Sequence, residues 1–194
     1  MTFLELVKGS RSYRRFDAAH AVDRETLVSL VEAARYAASS VNRQPLKYAL
    51  SWEKTLNDKI FPHTRWAKLL TDEQFPPQTE AERPTAYILI LADKAIAPQP
   101  DRYSVDVGIC AQTIMLAARE KGLGGCMVGN FDRREVCELM GAGCGLEPML
   151  LLALGKPDET VVIEELPADG STAYYNINRV QHVPKRALRD IIIG

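Results

Sequence analysis

The sequence predicts an α+β fold, a mixed or antiparallel sheet wrapped by helices, because helix and strand patterns follow one another without a regular βαβα rhythm. The clearest strand signal is a continuous apolar run over residues 87–91, which is typical of a strand covered on both faces. The clearest helix signal covers residues 104–121, where apolar side chains go nearly all the way round. No linker or repeat divides the chain, so we expect a single domain over residues 1–194.

The N-terminal part of the chain contains signals for two capped helices and one strand. Capping-box spacing at Thr2 and Glu5 predicts a short first helix. Asp23 can cap a second helix, because the apolar residues that follow it recur at helical spacing. Alternating apolar residues over 46–52 then predict a half-buried strand.

The middle of the chain is less regular. Residues 55–70 have a helical pattern that we expect to break at Pro62 into two pieces, since proline cannot sit inside a helix without a kink. Residues 71–85 are polar and contain three prolines, so they predict an exposed loop.

The C-terminal part carries further element signals. Gly122 is the expected C-cap of the helix over 104–121, and a short strand should follow near 125–129. Asp132 has the spacing to start another helix. A second buried strand is predicted over 148–154.

Composition and charge exclude several function classes. The chain is 46% hydrophobic and 25% charged with a net charge of -1, which argues against disorder and against a general binder of nucleic acid or membrane surfaces. No apolar run reaches the length of a membrane span. The four cysteines lack metal-ligand spacing, so we expect no metal site. A cytoplasmic protein without a nucleic-acid or membrane partner is therefore expected.

The positive charge is concentrated at the two ends of the chain. Residues 1–16 and 179–194 each carry a net charge of +3, which leaves -7 for the rest. This distribution indicates that the termini converge on an anion. Two short, solvated basic ends explain the charges as well.

One glycine-rich segment imitates a dinucleotide fingerprint. Residues 141–146 read Gly-Ala-Gly-Cys-Gly-Leu, but a leucine stands where the third glycine belongs and the segment follows a helix, not a strand. A helix-to-strand turn is the better interpretation. The sequence also lacks motifs for hydrolysis or phosphoryl transfer, so an enzymatic activity would depend on a bound cofactor.

Four segments suit a phosphate-bearing, flat ligand. Residues 10–16 interleave arginines with hydroxyls, and residues 184–188 form a second basic segment. Residues 38–46 supply hydroxyl and amide groups for a polar heterocycle. Residues 122–132 are rich in glycines, which let the backbone approach a flat ligand closely. Taken singly, each segment is equally well a solvated loop or a turn.

In this order and spacing the segments resemble the nitroreductase family of FMN-dependent oxidoreductases. Similar to that family, the chain has a D-x-G-x-x-x-Q helix from Asp106 to Gln112, followed by Gly122-Leu123-Gly124. The resemblance spans about residues 3–190. It implies an interlocked α+β homodimer with FMN in each of two interface clefts, and helix 104–121 at the dimer core. It also implies ping-pong electron transfer from NAD(P)H through flavin N5 to nitroaromatic, quinone or similar small-molecule acceptors.

The resemblance assigns roles to named residues, and none of them is a catalytic side chain. The phosphate and ribityl chain would be held by Arg11, Ser12, Arg14, Lys185 and Arg186. The partner chain would contribute Ser39, Ser40 and Asn42, with Gln44 nearby. The flavin ring would contact Met127 and Val128 and the backbone N–H groups of Gly129 and Asn130.

Some positions depart from the family pattern or remain open. Ser10 stands where arginine is common, and Gly129 stands where some relatives carry glutamate. The acceptor cleft is expected to be lined by Trp66, Phe75 and Tyr103, and packing of a helix onto the sheet is an equally good interpretation of Trp66.

Other functions stay compatible with the same motifs. Within the family these are a dehalogenase, a flavin-fragmenting enzyme or a peptide-ring dehydrogenase. Outside enzymes, they are a flavin-binding carrier or sensor, or a dimeric interaction module without a cofactor.

Overall fold

The computed structural model describes residues 1–66 and 79–194 and confirms the predicted α+β class. The helices are Phe3–Gly9 (α1), Arg24–Arg35 (α2), Lys54–Ile60 (α3), Ser104–Glu120 (α4) and Arg133–Leu139 (α5). The strands are Leu46–Ser51 (β1), Ala86–Asp93 (β2), Gly124–Val128 (β3), Leu146–Gly155 (β4), Thr160–Glu165 (β5), Tyr175–Ile177 (β6) and Val180–Lys185 (β7). No helix in these two ranges is long and apolar enough to cross a membrane.

The main sheet has the strand order β1-β2-β4-β3, and all of its neighbouring pairs are antiparallel. The predicted two-sided burial of β2 is confirmed. Ile88 and Ile90 face the cluster formed with α2 and α4, whereas Tyr87 and Leu89 face the cluster that contains Ile60. Successive side chains of a strand point to opposite faces, so one apolar run supplies two cores.

Helix α4 has two unlike sides. Val107 and Ile114 are buried against the sheet, but Val105 is 68% exposed and Ile109 is 39% exposed. The apolar surface that the sequence shows all round the helix is thus covered on one side only within a single chain. Gly122 ends α4 as predicted, with a φ of 76° that favours glycine.

The caps predicted from sequence are confirmed. The Thr2 hydroxyl accepts the Glu5 backbone N–H at 3.2 Å, and the Glu5 carboxylate accepts the Thr2 N–H at 2.7 Å. Asp23 likewise caps α2, and Asp132 accepts the N–H of Glu135 at the start of α5. Residues 141–146 form the predicted turn into β4.

Two predictions for the middle of the chain need correction. Of the second helical piece predicted within 55–70, the residues described, up to 66, form only a 3-10 turn over Phe61–His63, and Pro62 lies near its start, where a missing N–H costs nothing. The loop predicted over 71–85 is not exposed throughout, because Glu82 is 6% exposed. Residues 67–78 lie outside the described residues.

A second, smaller sheet has the order β5-β7-β6 and was not predicted. Its β5 and β7 are parallel, while β6 and β7 are antiparallel. Isolated short strands with half-exposed side chains give a weak periodic signal, which is why sequence patterns missed them.

The two basic ends of the chain meet on an internal carboxylate. The Arg15 guanidinium donates to Glu82 at 3.1 Å, and the Arg179 guanidinium donates to the same Glu82 oxygen at 2.8 Å. The Arg15 and Glu82 side chains are 7% and 8% exposed. A buried ion pair therefore joins the N-terminal segment to the small sheet.

Candidate functional site

Two neighbouring cavities share Met127 as a wall. The first, of about 210 Å³, is lined by Ser10, Arg11, Ser12, Gln112, Met115 and Met127. The second, of about 220 Å³, is lined by Arg14, Arg65, Trp66, Cys126, Met127, Val128, Gly129 and Asn130. Ligand pockets typically enclose about 300–1,000 Å³, a range that the two cavities reach only together.

The close approach of residues 12–13 to β3 builds the wall between these cavities and the core. The Tyr13 N–H donates to the Gly125 carbonyl at 2.9 Å, and Ser12 forms a bridge with Gly125. A Cβ atom at Gly124 would collide with the Tyr13 ring and with Pro157. Gly124 is therefore required for packing of the protein's own backbone and side chains, whereas the sequence analysis assigned the glycines to ligand approach.

The arginines of the N-terminal segment have free donors. Arg11 donates from Nη2 to the Val7 carbonyl at 2.8 Å, and Arg14 donates from Nη1 to the Ser12 carbonyl at 3.3 Å. The Nε atoms of both side chains are buried without a hydrogen-bond partner among the described residues. Buried donors of this kind call for a ligand or water, because leaving them unpaired is costly.

Glu159 fixes the backbone of this segment. Its Oε1 atom accepts the N–H groups of both Arg14 and Arg15. Burial raises the pKa of Glu159, and the two N–H groups and the two guanidiniums partly oppose that shift. Sequence analysis missed Glu159, because nothing in its local pattern distinguishes it from a surface glutamate.

The end of β3 presents the backbone to the second cavity. Met127 is 37% exposed and Val128 is 3% exposed, so only the Met127 side chain points outward. The backbone N–H groups of Gly129 and Asn130 donate to no acceptor among the described residues. A Cβ atom at Gly129 would meet nothing within 4 Å, so a side chain there would fit.

The opposite wall comes from the turn after α3. The Trp66 indole is 5% exposed, and its Nε1 donates to the Thr64 hydroxyl at 2.7 Å. Trp66 both packs in the core and lines the second cavity, so the two roles weighed for it are compatible. Tyr103 lies at the start of α4 and lines neither cavity, while Phe75 lies outside the described residues.

The segment over 39–44 forms a separate cluster. The Ser39 hydroxyl donates to Asp106 at 2.6 Å, and the Ser40 N–H donates to the same oxygen at 3.0 Å. The Gln44 amide donates to the Asn42 side chain at 3.0 Å. Within one chain these residues line neither of the two cavities.

The cluster borders a third cavity, which is larger than the first two. It encloses about 420 Å³ between α2, β1 and α4, and Ser39 and Gln44 lie on its rim. Its walls are mostly apolar, and the orphaned donors of Arg11 and Arg14 lie elsewhere, so its size does not make it the polar ligand site.

Lys185 and Arg186 lie at the end of the small sheet. Lys185 pairs with Glu165 in the strand register, and both basic residues are exposed. Neither side chain forms an ion pair with a described residue. The Arg14 guanidinium lies 4.9 Å from the ring centre of Tyr174, the residue just before β6, so the segment that leads into the small sheet contacts the arginine of the second cavity.

Comparisons with known proteins identify the family of the chain and the structures that share its fold. The family model of the nitroreductase family matches residues 7–156. A curated Bacillus subtilis (strain 168) protein, named "Putative NAD(P)H nitroreductase YdgI", is 26% identical over 198 residues, covering 86% of this chain and 94% of its own length.

Solved structures share the fold. A nitroreductase family protein from Streptococcus pneumoniae TIGR4 has a TM-score of 0.68 at 20% identity, covering 87% of this chain and 97% of that one. A "putative nitroreductase" from Exiguobacterium sibiricum 255-15, solved in complex with FMN, has a TM-score of 0.65 at 22% identity, covering 82% and 90%.

Proposed function

Because the chain belongs to the nitroreductase family of oxidoreductases, we propose that it is an FMN-dependent enzyme that takes electrons from NAD(P)H and passes them to nitroaromatic, quinone or similar acceptors. One observation carries the proposal: two adjoining cavities offer buried, unpaired arginine donors on one side and two free backbone N–H groups on the other.

The donor set of the cavities fits FMN. A phosphate needs charge-assisted donors, which Arg11 and Ser12 provide in the first cavity. A flavin ring needs a flat wall and hydrogen bonds along its edge, and the Met127–Asn130 backbone provides both in the second cavity. Gln112, from the helix motif quoted above, also lines the first cavity.

Within this arrangement we assign Arg11, Ser12, Lys185 and Arg186 to the phosphate, and the Gly129 and Asn130 N–H groups to the ring edge. Arg14 lines the cavity of the ring, not that of Arg11, so we assign its charge to the ring. When bound, FMN would accept a hydride from NAD(P)H and deliver electrons to the acceptor in a second half-reaction.

The contribution of the chain's own residues is electrostatic and positional. Free N–H donors and a guanidinium stabilise negative charge that develops beside them. Burial raises the pKa of the Cys126 thiol, so it stays protonated at neutral pH and is no nucleophile. No carboxylate lines the second cavity among the described residues.

We also propose that the enzyme is a homodimer joined across α4. Val105 and Ile109 leave an apolar side of that helix exposed, and an exposed apolar patch is typical of a protein–protein interface. The Ser39–Gln44 cluster lines neither the first nor the second cavity of its own chain, so a partner chain would bring it to the flavin.

The cofactor assignment is tested by identifying the chromophore. We expect purified protein to be yellow and to release FMN, identified by mass, on denaturation. NAD(P)H consumption should depend on an added acceptor, which separates an enzyme from a flavin carrier. Release of FAD alone, or no flavin uptake from excess FMN, would refute the assignment.

The dimer is tested at Ile109. Ile109→Glu places a charge on the exposed apolar side of α4, and sedimentation should then show a folded monomer with little bound FMN. Ile109→Val keeps the apolar surface and serves as the matched control. A wild-type monomer that is loaded with flavin would contradict the proposal.

A further inference from the structure

The second cavity is electropositive although the whole chain carries a net charge of -1. Two of its lining residues are the arginines Arg14 and Arg65, and no acidic side chain lines it among the described residues. The assigned flavin ring accounts for Arg14. The charge of Arg65 has no such explanation.

The backbone of Arg65 is fixed to the segment that bears the free N–H donors. The Arg65 N–H donates to the Asn130 carbonyl at 2.9 Å, and the Asp132 N–H donates to the His63 carbonyl at 2.9 Å. Thr64 and Phe131 form a bridge between these two bonds. Arg65 therefore keeps a constant position relative to Gly129 and Asn130.

Arg65 is exposed, and among the described residues its guanidinium is held through a single nitrogen. Its Nη1 donates to the carbonyls of Pro62, at 2.9 Å, and of Thr64, at 3.0 Å. Its Nε and Nη2 donate to no described residue, and the side chain forms no ion pair with a described carboxylate within 4.0 Å. Nε and Nη2 form one edge of the guanidinium, and such an edge binds a carboxylate with two parallel hydrogen bonds.

We propose that Arg65 is a subsite for an anionic group on the electron acceptor, so that the enzyme prefers aromatic acceptors that carry a carboxylate. The inference rests on the proposed function. Trp66, whose indole is fixed beside Arg65 and lines the same cavity, supplies an aromatic wall for the acceptor ring. Arg65 then orients the acceptor, and the flavin determines the chemistry.

The test compares an acceptor with its neutral counterpart. We expect the wild type to have a higher kcat/KM for 4-nitrobenzoate than for methyl 4-nitrobenzoate, and Arg65→Gln to lower that ratio about tenfold, as the loss of a charge-assisted pair would. Arg65→Lys keeps the charge without the two-pronged edge and should lower the ratio less. Arg134→Gln, at an exposed arginine paired with Glu138, is the control and should leave the ratio unchanged.

A binding measurement gives a readout apart from turnover. Benzoate binding to the oxidised holoenzyme, followed by the flavin absorbance, should weaken about tenfold in Arg65→Gln, while binding of neutral benzamide should change far less. Benzoate binding to the wild type should also weaken as salt rises. Equal effects on benzoate and benzamide would overturn the subsite.

FMN and NADPH each carry a phosphate that could bind the free edge of the Arg65 guanidinium in place of the acceptor's carboxylate. Binding and kinetic measurements on Arg65→Gln distinguish these two cases from the proposal. If Arg65→Gln weakens binding of FMN but not of riboflavin to the apoprotein, Arg65 holds the cofactor phosphate and the proposal is wrong. If it raises the KM for NADPH but not for NADH, the anion is the 2′-phosphate of the donor, and the proposal is again wrong.

Failure of the subsite is distinguishable from failure of the proposed function. If the wild type reduces both nitro compounds and Arg65→Gln leaves their ratio unchanged, only the subsite is refuted. If the wild type binds no flavin and reduces neither compound, the proposed function fails and the subsite fails with it.

Discussion

Arg14 and Arg15 are adjacent in the chain and identical in chemistry, yet they have different environments. Arg15 is 6% exposed and forms an ion pair with the buried Glu82. Arg14 lines a cavity, stacks on Tyr174 and forms no ion pair with any described carboxylate. Removing one partner of a buried ion pair is costly, whereas an unpaired charge that lines a cavity is a candidate for ligand binding, so we interpret Arg15 as structural and Arg14 as a binding residue.

The largest expected effect comes from removing the carboxylate that pairs with Arg15. Glu82→Ala leaves Arg15 buried without its carboxylate, so we expect the free energy of unfolding to fall by about 3–5 kcal/mol, measured by urea denaturation of the apoprotein. Glu80→Ala removes an exposed partner of Arg83 and should change stability by about 0.5 kcal/mol or less. A double replacement, Arg15→Met with Glu82→Leu, should recover much of the loss.

The second prediction tests whether Arg14 binds the flavin. Arg14→Ala should leave stability nearly unchanged but weaken FMN binding to the apoprotein about 10- to 100-fold, since a charge-assisted hydrogen bond contributes about 1.5–3 kcal/mol. If Arg14 acts at the ring, riboflavin binding weakens equally. Weakening of FMN alone would instead support the phosphate role that the sequence analysis gave Arg14, and unchanged affinities would remove Arg14 from the site.

The third prediction concerns the other end of the chain. Arg186→Ala should weaken FMN binding about tenfold and leave riboflavin binding nearly unchanged, because only FMN carries the phosphate. Titration of the apoprotein with both flavins measures the effect. Arg189→Ala is the control, because Arg189 is exposed and, among the described residues, pairs with its neighbour Asp190 alone. Equal FMN affinity in both variants would contradict a role for Arg186.

The smallest expected effect concerns Glu159, which accepts the backbone N–H groups of both Arg14 and Arg15. Burial raises the pKa of Glu159 above its ordinary value of 4.5, so ionisation of this carboxyl disfavours the folded state. The protonated Glu159 carboxyl therefore stabilises the folded state fully below pH 4.5, and this stabilisation is lost as the pH rises through the raised pKa. Glu159→Gln keeps an acceptor for the Arg14 and Arg15 N–H groups, so it should be at least as stable as the wild type at pH 7.

Denaturation at several pH values measures this difference. Relative to Glu159→Gln, the wild type should lose stability as pH rises from 4 to 7. Glu159→Ala removes the acceptor altogether and should cost about 1–2 kcal/mol at both ends of that range. A wild type that gains stability over Glu159→Gln with rising pH would show that the carboxylate is favoured, contrary to the raised pKa.

Much of the fold was predictable because its signals are local. The caps at Thr2, Asp23 and Asp132 use side chains and N–H groups three residues apart, so sequence spacing alone identifies them. The buried strand β2 was predictable for a similar reason, since an uninterrupted apolar run has no solvent-facing side. Arg11, Met127 and Asn130, which the motifs single out, line adjoining cavities, while their roles toward a cofactor stay predictions.

The sequence alone determined the helices and strands around the main sheet and the segments that carry hydrogen-bond donors, residues 10–16 and 122–132. Only the tertiary structure decided which donor meets which acceptor. Glu82 and Arg15 are separated by 67 residues, and Glu159 and Arg14 by 145, so no local pattern records either contact. The position of Arg65 also depends on a long-range contact. Its own segment has no distinctive sequence pattern, and the hydrogen bond to the Asn130 carbonyl places its backbone beside the cavity. Long-range contacts decide which arginine meets a carboxylate, as Arg15 meets Glu82, and which one lines a cavity without such a partner among the described residues, as Arg14 does.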